Sequence, residues 1–329
     1  MSKTLIVRRE AWPIKGSFRI SRGAKTQADV IVVEIGEGKS IGRGECVPYA
    51  RYGETVDGVL AQIESLRSDI ARGLTRKELQ PRLPAGAARN ALDCALIDLE
   101  AKVAGRPAHA VLKLPSPKLL RTAFTLSLDT PEAMGAAAAE GARKSFSLLK
   151  LKVAGGNDLA LVEAVRRAAP HAKLIADANE GWTEDDLIRL TPELARLGVA
   201  LIEQPLKADE DGILAEFASP IALCADESCH TRADLPRILG RYSHINVKLD
   251  KTGGLTEAIA LVSEAHAKGL RLMIGCMVST SLAVAPAMLL AGGADFVDLD
   301  GPLLLQRDRE PSLVYQGDML SPPAPALWG

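Results

Sequence analysis

The spacing of apolar residues divides the chain into two textures. In the first, residues 4–8, 29–35 and 41–46 are short runs rich in β-branched residues that read as strands, with a tight turn at Gly36-Glu37-Gly38 between the last two. Helical spacing follows. Val56, Val59, Leu60, Ile63 and Leu66 share one face, and Ala88, Leu92, Ala95, Leu99 and Val103 share another. Gly105-Arg106-Pro107 stops the second of these helices. Together they predict a small α+β unit.

From about residue 120 the pattern becomes a repeat. Eight apolar strand-like runs recur at intervals of roughly 25 residues: 123–128, 148–153, 173–177, 199–203, 221–226, 244–249, 272–277 and 296–300. Between them lie segments such as DLALVEAVRRAA and LTEAIALVSEAHAKG, amphipathic at helical spacing. Repeated βα units imply a parallel sheet, and eight of them imply a closed (β/α) barrel, where fewer would favour an open doubly wound sheet. The expected organisation is a capping domain over residues 1–115, a catalytic barrel over 116–310 and a loop-like segment, 311–329, that returns to the cap.

Composition narrows the classes. Of 329 residues, 47% are hydrophobic and 25% charged, as in soluble globular proteins. A net charge of −1 and an aromatic content of 4% supply neither the electrostatics nor the stacking surfaces for nucleic acid. Charges interrupt every apolar run near the N-terminus, and no apolar stretch reaches membrane-span length, so a cytoplasmic protein with no membrane partner is expected. The five cysteines follow no zinc spacing and read as reduced thiols. Association into a homo-oligomer is compatible with these features but not specified by them.

Barrel enzymes carry their chemistry at the carboxyl ends of strands. The predicted second strand closes on Lys150-Leu151-Lys152, the third on Asp177-Ala178-Asn179, the fourth on Glu203-Gln204-Pro205 and the fifth on Asp226-Glu227-Ser228. Lys248 closes the sixth, and Asp298-Leu299-Asp300 closes the eighth. One acid at a strand end is commonly a cap for the next helix. Asp177, Glu203 and Asp226, however, end three consecutive strands, 26 and 23 residues apart, with lysines on both sides. Three hard oxygen ligands suit a Mg2+ ion that keeps open positions for water or substrate oxygens, and manganese would fit the same set.

Lys150 and Lys152 point the same way, since strand residues two apart share a face. Crowded ammonium groups in a poorly solvated mouth should favour the neutral amine. A proton beside a carboxylate is removable only if the enediolate charge is stabilised, and a bound cation does this. A base on each face of the planar carbon then allows inversion. Lys152 and Lys248, on either side of the acids, are positioned for those two roles.

The series KxK, DxN, EQP, DES and a lysine on the next strand resembles the muconate-lactonizing-enzyme subgroup of the enolase superfamily, which pairs lysine or histidine bases with magnesium. The resemblance covers nearly the whole chain and implies a modified (β/α)7β TIM barrel beneath an N-terminal α+β cap. RYGE (51–54), LPAGAARNALDCAL (83–96), CADESCHTR (224–232), NVKLDKTGGLTEA (246–258) and DLDGP (298–302) are most similar to the L-Ala-D/L-Glu dipeptide epimerases. That likeness implies a dipeptide substrate, Lys152 and Lys248 as the acid/base pair, Lys150 and Thr125 near the substrate, and a part in recycling cell-wall peptides. It also implies that Asp298 and Asp300 receive the free ammonium of the substrate, where an N-acylated or dianionic molecule would meet like charge. Residues 18–25 form the expected loop over the mouth, with three cations from Arg19 to Lys25 suited to an acidic side chain. Arg22 is the contact by analogy. Competing readings are o-succinylbenzoate synthase, muconate cycloisomerase, N-acylamino-acid racemase, or a barrel that binds without catalysis.

Overall fold

The computed structural model of the chain describes residues 2–329. Two strands, Thr4–Ile20 and Gly23–Glu37, pair antiparallel, and Ser40–Cys46 pairs with the second. Alternation along Gly23–Glu37 serves two cores at once. Ile31, Val33 and Ile35 pack under the cap, while Val30 and Val32 join the barrel's main apolar cluster. Helix Ala87–Ala104 lies across this sheet and is buried along most of its length. Gly42 and Gly44 allow the contact: a Cβ at either would sit 2.1 Å from a helix carbonyl, that of Ala95 or Ala91.

The first two strands are much longer than their apolar runs predicted, at 17 and 15 residues. Their register shifts between Pro13 and Phe18, and pairing then resumes through Phe18–Lys25, Arg19–Ala24 and Ile20–Gly23. The segment expected as a loop, 18–25, is therefore the end of a hairpin that reaches over the barrel. Apolar alternation there is limited to Phe18 and Ile20, which line the cavity on either side of exposed Arg19; beyond them the tip is polar.

The eight parallel strands are Phe124–Leu126, Leu148–Lys152, Lys173–Asp177, Val199–Glu203, Ala222–Ala225, His244–Val247, Arg271–Gly275 and Phe296–Asp298, hydrogen-bonded in sequence order. The Ala123 amide donates to the Val297 carbonyl at 2.8 Å and joins the two ends of the sheet. Inside the ring, Ala123, Leu148, Ile175, Leu201, Cys224, Met273 and Phe296 form a separate apolar plug. Two residues further along six of those strands the inward side chain turns polar: Thr125, Lys150, Asp177, Glu203, Asp226 and Asp298 all stand one step above the plug. Period-two geometry on an apolar floor is what lifts these groups into one mouth.

The final segment departs from its loop-like reading. Tyr315–Gln316 and Met319–Leu320 form a small hairpin that pairs with Leu120–Arg121, just before the first barrel strand. Beyond it, the Trp328 indole donates to the Cys94 carbonyl at 3.1 Å and the Gly329 amide to Asp98 Oδ1 at 2.8 Å, both on the cap helix. Among the described residues no helix is long and apolar enough to cross a membrane.

Candidate active site

A cavity of about 940 Å³ opens between the barrel mouth and the cap. Lys150, Lys152, Lys248, Thr125, Asp226, Asp298 and Asp300 line its floor, and Arg22 and Phe18 line its roof. Asp177 and Glu203 lie just beneath, fully buried. All ten residues singled out in the sequence thus belong to one region.

The lysines are held by acids. Lys150 Nζ lies 3.0 Å from Asp177 Oδ2, 2.8 Å from Glu203 Oε2 and 2.8 Å from Asp298 Oδ2. Lys152 Nζ donates to Asp177 Oδ2 at 2.6 Å and to Asn179 Oδ1 at 3.0 Å. On the other side, Lys248 Nζ donates to Asp226 Oδ2 at 2.6 Å. A fourth ammonium, Lys251, touches Asp226 Oδ1 at 2.6 Å from behind and donates to the carbonyls of Asp226, Cys229 and Asn246. Each outer acid of the strip therefore carries two ammonium groups.

This arrangement corrects the expectation of a neutral amine for Lys150. Burial disfavours the charged form of Lys150, but Asp177, Asp298 and Glu203 outweigh it and hold its pKa well above the ordinary lysine value. Lys248 is raised in the same way, with burial opposed chiefly by Asp226. The carboxylates split. Asp177 is held down at about 2 because Lys150 and Lys152 overcome its burial. Asp226 is held well below the usual range, with Lys248 and Lys251 outweighing its burial. Glu203 is pushed up to about 7 by burial and by the charge on Asp177. Repulsion between lysines leaves out the carboxylates, which lie 2.8–3.0 Å from the Lys150 ammonium and 2.6 Å from that of Lys248.

Among the described residues no three acidic, His or Cys side chains converge alone as a metal cage. The Lys150 ammonium sits among the acids instead. The donor set nonetheless suits a hard divalent cation. Asp177, Glu203 and Asp226 supply carboxylate oxygens from neighbouring strands, and Glu203 Oε2 and Asp226 Oδ1 are buried without a hydrogen bond, met only by ammonium groups. Asn246 holds the middle carboxylate by donating to Glu203 Oε1 at 2.8 Å.

Beyond these three carboxylates around the ring, Asp298 and Asp300 close an acidic corner with Thr125. The Thr125 amide donates to Asp300 Oδ2 at 2.6 Å and its hydroxyl to Asp298 Oδ1 at 3.3 Å. Burial, and then Asp298, push the Asp300 carboxyl up to about 7. Arg22 enters from the hairpin tip. Its guanidinium donates to the Asn179 carbonyl at 2.5 Å, Glu180 Oε2 at 3.1 Å, Glu227 Oε1 at 2.7 Å and the Tyr49 hydroxyl at 3.2 Å. It faces the cavity, but most of its donors are already committed to the protein.

Asn246, Lys251, Glu180 and Glu227 were not singled out by sequence reasoning, although Glu180 directly follows the Asp177-Ala178-Asn179 motif and Glu227 lies inside Asp226-Glu227-Ser228. Their partners belong to other elements, so no periodicity marks them.

The chain matches two family models: the mandelate racemase/muconate lactonizing enzyme N-terminal domain over residues 2–112 and the enolase C-terminal domain-like family over residues 133–319. It is 47% identical over 313 residues to the L-Ala-D/L-Glu epimerase of Escherichia coli K12, covering 95% of this chain and 98% of that protein. It is 50% identical over 304 residues to an N-acetyl-D-glutamate racemase from a Pseudoalteromonas species, covering 91% and 95%. An enolase family member from Agrobacterium tumefaciens, solved with sodium and L-Ala-L-Glu, superposes with a TM-score of 0.97 at 50% identity over 99% and 100% of the chains. A dipeptide epimerase from Enterococcus faecalis, solved with magnesium and L-Leu-L-Tyr, gives 0.91 at 30% identity over 98% of each.

Proposed function

The chain belongs to the mandelate racemase/muconate lactonizing enzyme family of the enolase superfamily, and we propose that it is an isomerase that epimerises dipeptides of the L-Ala-D/L-Glu type. The inverted centre is the α-carbon beside the free carboxylate. One observation carries the substrate class: an acidic corner, Asp298 with Asp300, lines the same cavity as Lys152 and Lys248. A free ammonium at one end of a small substrate and a carboxylate at the other match that polarity.

Asp177, Glu203 and Asp226 would hold magnesium. When bound there, the cation supplies positive charge beside the substrate carboxylate, which makes the neighbouring proton abstractable. The rest belongs to the chain. Lys150, buried among three acids, adds fixed positive charge near the same carboxylate. Lys152 Nζ removes the α-proton from one epimer and Lys248 Nζ delivers a proton to the opposite face; the roles exchange in the reverse direction. Asp298 and Asp300 orient the substrate through its ammonium, with Thr125 holding both acids in place. Arg22 and its neighbours at the hairpin tip exclude water and receive the acidic side chain.

The N-acetyl-D-glutamate racemase relative supports a second reading, racemisation of an N-acylated glutamate. The same bases and metal strip would serve it, but the acylated nitrogen carries no charge for Asp298 and Asp300. Incubation in deuterium oxide with magnesium separates the two. Mass spectrometry should find α-deuterium in L-Ala-L-Glu and L-Ala-D-Glu and little in N-acetylglutamate. The reverse preference would move the assignment to the racemase, and exchange in neither would remove both readings.

A further inference from the structure

The turn after the third barrel strand carries an arrangement that the two-base chemistry does not require. Asn179 and Glu180 both have left-handed backbones, with φ of 45° and 67°, which residues bearing a side chain adopt at a cost. The turn brings Asn179 Oδ1 onto the Lys152 ammonium at 3.0 Å and sends the Glu180 side chain toward the cap. There Arg51 grips Glu180 with two bonds of 2.6 Å, and Arg22 adds a third at 3.1 Å. The two arginines come from different cap loops. Only 4% of the Glu180 side chain is exposed, and its Oε1 also accepts the Ala208 amide at 2.9 Å.

The hairpin tip is seated on the same turn. The Ser21 hydroxyl donates to the Asn179 carbonyl at 2.9 Å, and a Cβ at Gly181 would collide with Ser21 Cβ at 2.8 Å. The hairpin also brings the Phe18 ring 5.8 Å from Lys152 Nζ. Lys248 makes no contact with this turn: among the described residues its polar partner is Asp226, and Arg22 and Asn179 reach that side only through Glu227, the residue after Asp226, which does not touch the Lys248 ammonium.

We propose that Glu180 is a positioning residue through which closure of the two cap loops is transmitted to Lys152 and not to Lys248. The inference rests on the reading of Lys152 and Lys248 as the two bases. When the arginines engage Glu180, the turn is held in its left-handed form and Asn179 stays against Lys152. Released, the turn relaxes and Lys152 loses that partner. The device ties abstraction on one face of the substrate to a closed roof.

The test is Glu180→Gln in the full-length, magnesium-loaded enzyme. Glutamine keeps the size and the acceptor for Ala208 but removes the charge that both arginines seek. Deuterium uptake is measured from each purified epimer of L-Ala-Glu. Uptake from the epimer that Lys152→Ala silences should fall about tenfold or more, the scale of a lost charge-assisted hydrogen bond, while the other changes less than about threefold. Equal loss from both epimers would make Glu180 a general lid anchor and overturn the proposal, as would no loss from either. A second measurement needs no turnover. Acetic anhydride labelling, read lysine by lysine by mass spectrometry, should change for Lys152 and not for Lys248 in both Glu180→Gln and Arg51→Met. Unchanged labelling of Lys152 in both variants overturns the coupling whatever the substrate proves to be. Arg51, at the rim, also keeps the test available if the Glu180 variant fails to fold.

Discussion

Asp177 and Asp226 each hold two ammonium groups, and that sharing governs what single substitutions at the mouth should do. Replacing Asp177 or Asp226 with Asn, or Glu203 with Gln, removes a charged oxygen ligand and leaves buried ammonium groups short of a counter-charge. Activity should fall more than about a hundredfold with circular dichroism unchanged, and a strong chelator should do the same to the native enzyme. Full turnover in chelator would refute the metal assignment. The lysines should be separable by face. Lys152→Ala should stop epimerisation while Lys248 still exchanges the α-proton of the epimer it faces, and Lys248→Ala should exchange only the other; deuterium uptake by each epimer is the readout. Exchange of the same epimer by both variants would exclude a two-base mechanism. At the acidic corner, Asp298→Asn and Asp300→Asn should weaken dipeptides with a free amino terminus by about 1.5–3 kcal/mol each, against little change for an N-blocked analogue. Equal losses would separate these acids from ammonium recognition. The residues behind these predictions were legible in the sequence because they close barrel strands: Asp177, Glu203, Asp226 and Asp298 stand one period-two step above apolar residues, and Lys152, Lys248 and Asp300 one step beyond polar ones. Lys251 and Asn246 were not. Each acts through a carboxylate from another strand, Lys251 on Asp226 at the end of the fifth and Asn246 on Glu203 of the fourth, and only the folded ring sets those groups side by side.

Strands and helices reproduce this contrast. Eight barrel runs were readable because each is a short apolar segment between turn signals. Their ends were less so: the fifth strand stops at Ala225 and the eighth at Asp298, short of their apparent apolar limits, because the chain leaves the sheet to present its functional groups. The hairpin roof was missed because its far half packs only a small cluster, Ile14 and Ala28 with Leu305, whose barrel-side member is remote in sequence. Closest to a pure packing requirement is the contact between Ser40–Cys46 and the cap helix. A methyl group at Gly44 would lie 2.1 Å from the Ala91 carbonyl and 2.9 Å from the Ala95 amide, backbone atoms with no rotamer to yield. Gly44→Ala should therefore force helix and sheet apart and cost about 1–3 kcal/mol or more, read as a lower midpoint in urea. Gly53, where a Cβ meets nothing within 4 Å, is the matched control for added side-chain bulk, although its φ of 75° carries a strain of its own. An undiminished midpoint for Gly44→Ala would show that the helix has slack that the packing denies.

For the molecule as a whole, the decisive feature is that cap and barrel meet through buried carboxylates. Glu45 of the cap receives the Thr280 amide, the Thr280 hydroxyl and Arg309, all from the barrel side. Asp93 on the cap helix receives the Thr256 amide at 2.8 Å. Asp250, two residues beyond Lys248, accepts from the Val47 amide at 3.0 Å and from Asn90 at 2.8 Å, both in the cap. These acids are not salt-bridged alike. Arg309 reaches Glu45, whereas neutral donors hold Asp250, and its carboxyl is pushed up to about 7, by burial first and then by Glu54 and Glu45. The sign of the consequence follows. In the unfolded chain this carboxyl ionises near its ordinary value of 3.8, so between there and about 7 the folded protein binds more protons than the unfolded one. Stability must then fall as pH rises through that window, by up to about 1.4 kcal/mol per pH unit from this group, and level off above it. Asp250→Asn keeps an acceptor for Val47 and Asn90 but cannot ionise. Urea melts of the metal-free protein from pH 5 to 8 should therefore give the variant a flatter profile and, at pH 8, a higher midpoint than the native chain. The difference between the two profiles isolates Asp250 from Glu203 and Asp300, which titrate in both proteins. Parallel profiles would mean that Asp250 stays ionised at the junction, paired by a charge that its hydrogen bonds do not reveal.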